Sequence, residues 1–146
     1  MRSLLLLLAI ALAANFAFLH YSNGDFFYPD SATYLTPAHN LANGRGFVDA
    51  LGLAETLRTP AYPLLLIALR FNTIAILVVQ HLLNVLLAGA VWWVVRRRGG
   101  PAWLAGLLCA LDVPTIHYAN KVLSEALFSA VLFLIFLITL RATSKR

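Results

Sequence analysis

The sequence predicts an all-α integral membrane protein, with four transmembrane helices and short juxtamembrane helices in the first external loop. Three observations predict it. The 146 residues are 61% hydrophobic and only 12% charged, with a mean hydropathy of +0.81, more apolar and less charged than is usual for a soluble domain of this size. The apolar residues fall in four long runs, at about 3–20, 73–95, 101–119 and 122–140, and a helix needs about 20 such residues to cross the hydrocarbon core. The charges are also sorted: if the runs alternate in direction, Arg2, Arg96–Arg98, Arg141, Lys145 and Arg146 share one side and all six acids fall on the other.

The first run follows Met1–Arg2, and Leu4–Leu8 with Ala11–Leu12–Ala13 has the makings of a cleavable signal. Its apolar character continues through Phe16 to Leu19, which favours a span. The external loop, 21–72, is rich in Asn, Gly and Pro and holds four of the six acids. Ser31–Ala42 predicts a short surface helix, capped by Asp30 or Ser31, with Tyr34, Ala38 and Leu41 on its apolar face. Asn43–Gly44 and Gly46 mark the turn that follows. Ala61–Phe71 is apolar but only about 16 Å long as a helix, too short to span. It is expected as a juxtamembrane or re-entrant helix.

The second span carries Gln80, His81 and Asn84 at i, i+1 and i+4, a patch expected to hydrogen-bond between helices. Trp92–Trp93 and Arg96–Arg98 form an aromatic and basic belt. The third run is interrupted by Asp112 and Pro114 and contains Cys109, the single cysteine, so no intramolecular disulfide or Cys-based zinc pattern exists. Asp112 is read as near the external face, either joining a site there or capping the break at Pro114. Glu125 near the outer end of the fourth run is costly in a membrane and often functional, although Lys121 four residues earlier offers an i,i+4 partner.

The positive-inside rule places both termini in the cytoplasm of a multi-pass protein of the cell (inner) membrane and the acidic loop on the periplasmic or external face. The net charge of +5 is thereby a topology signal and does not argue for a nucleic-acid partner. A single membrane domain, 1–146, is expected.

Asp30 with Tyr34 and Ala38, Asn40–Leu41–Ala42–Asn43–Gly44, Arg58–Thr59–Pro60–Ala61–Tyr62–Pro63 and Ser124–Glu125–Ala126–Leu127–Phe128 occur in this order. In order and approximate spacing they resemble the N-terminal portion of GT-C glycosyltransferases, in the protein O-mannosyltransferase and aminoarabinose-transferase branch. Members of that superfamily transfer a sugar from a polyprenyl-phosphate carrier on the outer membrane face, and usually continue into many more helices and an external domain. The resemblance implies that Asp30 is the general base and Glu125 a second acidic site residue that orients the acceptor or a divalent metal. It implies that Arg58 meets the carrier phosphate, with Lys121 and Arg45 as further cations and Tyr34 and Tyr62 lining the site. Some relatives place Glu after this Asp, whereas Ser31 follows here, so that acidic pair is absent. Each cation also has a plainer role as an interfacial anchor, and no metal-ligand set is assigned. Two functions follow as expectations: a minimal or truncated transferase using a polyprenyl-phosphate-linked sugar, or a non-catalytic scaffold that binds a lipid carrier or another transferase chain. The expected partners are that carrier, membrane lipids, and a second copy or a partner membrane subunit.

Overall fold

A computed structural model describes residues 2–143; Lys145 and Arg146 of the basic tail lie outside them. Seven helices follow one another: α1 (Arg2–Tyr21), α2 (Ser31–Ala42), α3 (Ala61–Ala68), α4 (Thr73–Arg97), α5 (Ala102–Ala110), α6 (Val113–Ala119) and α7 (Glu125–Thr143). Among the described residues the only β pairing is an isolated bridge between Val48 and Ala54. Helices α1, α4 and α7 are long and apolar enough to cross a membrane, and α5 with α6 makes a fourth candidate bent by 44°.

Helix α4 is the central element. Leu7 and Ala11 of α1 pack with Val85, Ala88 and Trp92 of α4 and Ala102 and Ala110 of α5 in one apolar cluster. Leu7 lies among residues near the end of α4 while Asn15 meets His81, so α1 and α4 run antiparallel. Small residues bring the backbones together, as is common between membrane helices: a Cβ on Gly106 of α5 would come within 3.0 Å of Trp92 Cβ and 2.5 Å of Leu7 Cδ2. A second cluster, with Tyr34, Ala38, Tyr62, Leu66, Ile76, Val122 and Leu123, sets α2 and α3 against α4 and the start of α7. Of the apolar face expected on α2, Tyr34 and Ala38 are buried and Leu41 is half-buried.

The predicted third span is two helices. Pro114 follows a break at Leu111–Asp112, and the Asp112 carboxylate accepts from Thr115 N at 3.1 Å and from the Thr115 hydroxyl, capping α6. Thr115 O accepts from Asn84, the middle of α4, so Asp112 sits partway down the bundle and not at its rim. The helix of the fourth candidate span, α7, begins at Glu125; residues 121–124 are a bend, so Lys121 and Glu125 are not an i,i+4 helical pair.

This break frees backbone carbonyls that an apolar interior cannot satisfy, and the polar patch of α4 satisfies them. Gln80 Nε2 donates to Ala119 O at 2.9 Å and Lys121 O at 2.7 Å, and Asn84 Nδ2 donates to Thr115 O at 3.2 Å. His81 lies between Asn15 Oδ1 (2.9 Å from Nδ1) and Asn120 Oδ1 (3.3 Å from Nε2). The patch is thus a brace for a broken helix.

Candidate functional site

Arg58 stands at the centre of the loop. Glu55 Oε1 accepts from Leu57 N at 2.6 Å and Arg58 N at 3.0 Å, closing the turn that aims the side chain. The guanidinium then reaches across to α2. Nε donates to Thr33 Oγ1 at 2.8 Å, Nη1 to the Tyr34 hydroxyl at 3.2 Å, and Nη2 lies 3.2 Å from Asp30 Oδ2. The same group covers the Tyr34 ring, 4.5 Å from its centre. Arginine has five N–H groups, so two are left for a ligand.

Asp30 was expected to cap α2, but its carboxylate makes no capping hydrogen bond. Ser31 does not cap either; its hydroxyl accepts from Tyr28 N at 3.0 Å. Asp30 is instead mostly exposed, with one oxygen on Arg58. Its carboxylate opens on a cavity of about 380 Å³ lined by Tyr28, Pro29, Asp30, Tyr118, Leu123 and Glu125. Glu125, in the first turn of α7, is favoured there by the helix dipole. The two acids that sequence reasoning singled out therefore share one cavity.

Beneath them Tyr34 and Tyr62 are buried. The Tyr34 hydroxyl lies 2.8 Å from Ser124 Oγ, which ties α2 to the bend before α7. Tyr62 packs edge-on to Tyr34, with ring centres 5.2 Å apart, and donates to Gln80 Oε1 at 2.6 Å. At 1% exposure, Tyr62 supports the site from below and does not line it, unlike the expectation. Burial, with smaller contributions from Glu125 and Tyr34, pushes its phenol well above the ordinary tyrosine range.

Lys121 is placed differently from its expected phosphate-binding role. Its ammonium is nearly buried, 2.7 Å from Asp25 Oδ2, bonded also to Asp25 O, and 4.9 Å from the centre of the Tyr28 ring. Val122 N donates to Phe26 O at 2.8 Å beside it. Together these contacts strap the 22–30 segment over the α6–α7 bend and fix the Tyr28 wall of the cavity. Tyr28 is steadied further by His117, whose Nε2 lies 3.2 Å from its hydroxyl.

Arg45 is not brought to the site. It is exposed in the turn past the far end of α2, about 18 Å of helix away from Asp30. There its backbone N–H donates to Asn40 O, and Asn40 in turn anchors the 47–55 hairpin through Val48 O and Asp49 O.

Sequence reasoning missed Asp25, Thr33, Tyr28 and Tyr118. Thr33 follows Asp30 by three residues and shares its face of α2, a signal that was readable. Asp25 meets Lys121 across 96 residues of chain, and no local pattern announces that pair.

Asp30 and Glu125 are the carboxylates on the cavity, and among the described residues no group of three or more His, Cys, Asp or Glu side chains gathers. The arrangement offers an exposed carboxylate, a fixed guanidinium with spare donors and aromatic walls, at the opposite end of the bundle from Arg96–Arg98. Comparison of the chain with family models, with curated proteins and with solved structures finds no match.

Proposed function

We propose that the chain is a GT-C-like glycosyltransferase module that acts on a polyprenyl-phosphate-linked sugar at the outer face of the cell membrane. The observation that carries this reading is that Asp30 and Glu125 open on one cavity beside the guanidinium of Arg58. In this reading Asp30 Oδ1 takes the proton of the acceptor hydroxyl or amine while Arg58 holds Oδ2. The freed acceptor atom attacks the anomeric carbon, the bond from that carbon to the phosphate oxygen breaks, and polyprenyl phosphate leaves. The two spare N–H groups of Arg58 neutralise the leaving phosphate, a pairing suited to the planar fork of arginine. Glu125 orients the acceptor from the opposite wall. The Lys121–Asp25 strap and the Tyr34–Tyr62–Gln80 column are positioning elements.

A second reading is favoured by the size of the cavity. A volume of about 380 Å³ is small for a sugar, a phosphate and an acceptor together. A module that binds the carrier and presents it to another transferase chain needs only the Arg58 side of the site.

Transfer from radiolabelled polyprenyl-phosphate sugars separates the two readings. The transferase reading expects turnover by the wild type, reduced about a thousandfold in Asp30→Asn, the range of a lost general base. Carrier binding should survive in that variant and weaken in Arg58→Ala. Binding without transfer in the wild type selects the presenting module. Absence of both sinks the glycosyl-carrier reading altogether.

A further inference from the structure

Three arginines outside the proposed site gather at the other end of the bundle. Arg97 and Arg98 close α4, Arg141 lies in the last turn of α7, and all three line one groove of about 520 Å³ with Trp93, Leu137 and Leu140. The Arg97 guanidinium lies 4.3 Å from the centre of the Trp93 ring, which holds it against the groove wall. Among the described residues the two ion pairs, Asp30–Arg58 and Asp25–Lys121, both lie at the opposite end, so no carboxylate answers these three cations.

The groove does not stop at the arginines. Leu137 also lines a second cavity of about 220 Å³ along the α4–α7 seam. That cavity shares Leu87 and Phe133 with a third of about 530 Å³, whose walls are almost wholly apolar. From Arg97 to Leu87 the seam follows α4 for about 15 Å, half of a hydrocarbon core of about 30 Å. A cationic mouth above one leaflet's length of apolar wall matches an amphiphile with an anionic head and an acyl chain.

We propose that the α4–α7 seam is a binding site for an anionic phospholipid of the leaflet at the arginine end. Its phosphate sits among Arg97, Arg98 and Arg141, and one acyl chain lies along Leu137, Phe133 and Leu87. Three guanidinium groups with no carboxylate partner among the described residues select a lipid whose headgroup carries no compensating cation. A free phosphate would fill the mouth and leave the seam empty. The proposal rests on α4 and α7 being membrane spans and is independent of the glycosyl-carrier reading.

The test uses the full chain purified in mild detergent, with retained phosphatidylglycerol and phosphatidylcholine measured by native mass spectrometry. Phosphatidylglycerol should bind at least about tenfold more tightly, and each of Arg97→Gln, Arg98→Gln and Arg141→Gln should weaken it about fivefold. Leu137→Trp fills the seam without touching charge and should weaken it comparably. Arg2→Gln removes a cation at the same end but outside the groove, and should change nothing. Arg97→Lys, which keeps the charge, should retain most of the lipid and guards against loss through misfolding. Equal affinity for the two lipids, full binding in Leu137→Trp, an Arg2→Gln effect as large as that of Arg141→Gln, or displacement by millimolar inorganic phosphate would each overturn the proposal.

Discussion

The two ends of the bundle hold their cations in opposite ways. At the acidic end Arg58 is fixed by Thr33, Tyr34 and Asp30, and Lys121 is almost wholly enclosed and paired with the exposed Asp25. At the arginine end Arg96, Arg97 and Arg98 are exposed, with Arg96 and Arg97 resting on Trp92 and Trp93. A cation locked into a hydrogen-bond network sets the position of the loop around it, which is what a reacting centre needs. An exposed cation resting on a packed ring keeps its outer face free to meet a ligand. The difference lies in the partners: among the described residues the carboxylates that pair with cations, Asp25 and Asp30, both lie at the acidic end.

The contrast is broken most severely at Gln80. This side chain is fully buried and joins Tyr62, Ala119 O and Lys121 O, so it links the floor of the site to the α6–α7 bend. Gln80→Leu keeps the volume and strands a hydroxyl and two carbonyls, each costing about 1–3 kcal/mol when left unpaired and buried. A loss of about 3 kcal/mol is expected in denaturation from detergent micelles, against a change within about 0.5 kcal/mol for Arg97→Gln at the exposed end. Similar losses for the two variants would erase the distinction between a braced end and an open one.

Tyr62 gives the acidic end a pH dependence of its own. Its phenol is held neutral by burial, so its folded pKa lies above the unfolded value of about 10. Its contribution is complete below that unfolded value. Above it the unfolded chain releases a proton that the folded chain keeps, and stability falls by up to about 1.4 kcal/mol per pH unit. Stability measured between pH 9 and 11 should show this decline in the wild type and a shallower one in Tyr62→Phe. Identical slopes would mean that the phenol reaches water in the fold.

The sequence made legible what depends on short-range pattern. The bounds of α2, the shortness of α3, the three long helices and the role of the Gln80–His81–Asn84 patch follow from periodicity and composition. The interruption by Pro114 was visible as well, but not that it divides the run into two helices bent by 44°. The choice of partners was beyond such a reading. Asp30 as a cap and Lys121 as the helical partner of Glu125 were each sound local expectations. Tertiary contacts overrode both, with Arg58 reaching across 28 residues and Asp25 across 96. Tyr62 enters the site reading through a motif, which says nothing about which face is buried; Arg45 enters as an external cation, and charge says nothing about distance.

The smallest expected effect sharpens the comparison through two helix ends built on one plan. α4 ends at the arginine side with Gly100 N on Val95 O and Gly99 N on Arg96 O; α3 ends at the acidic side with Phe71 N on Leu66 O and Arg70 N on Ile67 O. Both are Schellman closures, which require a left-handed residue after the cap. Gly99 meets that need at φ +73°, whereas α3 uses Arg70 at +53° and Phe71 at +57°. Left-handed backbone costs a side-chain-bearing residue about 1 kcal/mol or more, so the acidic end carries strain where the arginine end carries none. Phe71 offsets its share by stacking on His39, ring centres 3.9 Å apart and 10° from parallel. Arg70→Gly should therefore raise stability by about 1 kcal/mol, and Gly99→Ala should lower it by a similar amount. Phe71→Gly should yield no gain, since it removes the strain and the stacking together. An Arg70→Gly variant no more stable than the wild type would place the tolerance for this turn in the packing of α3 and not in the backbone.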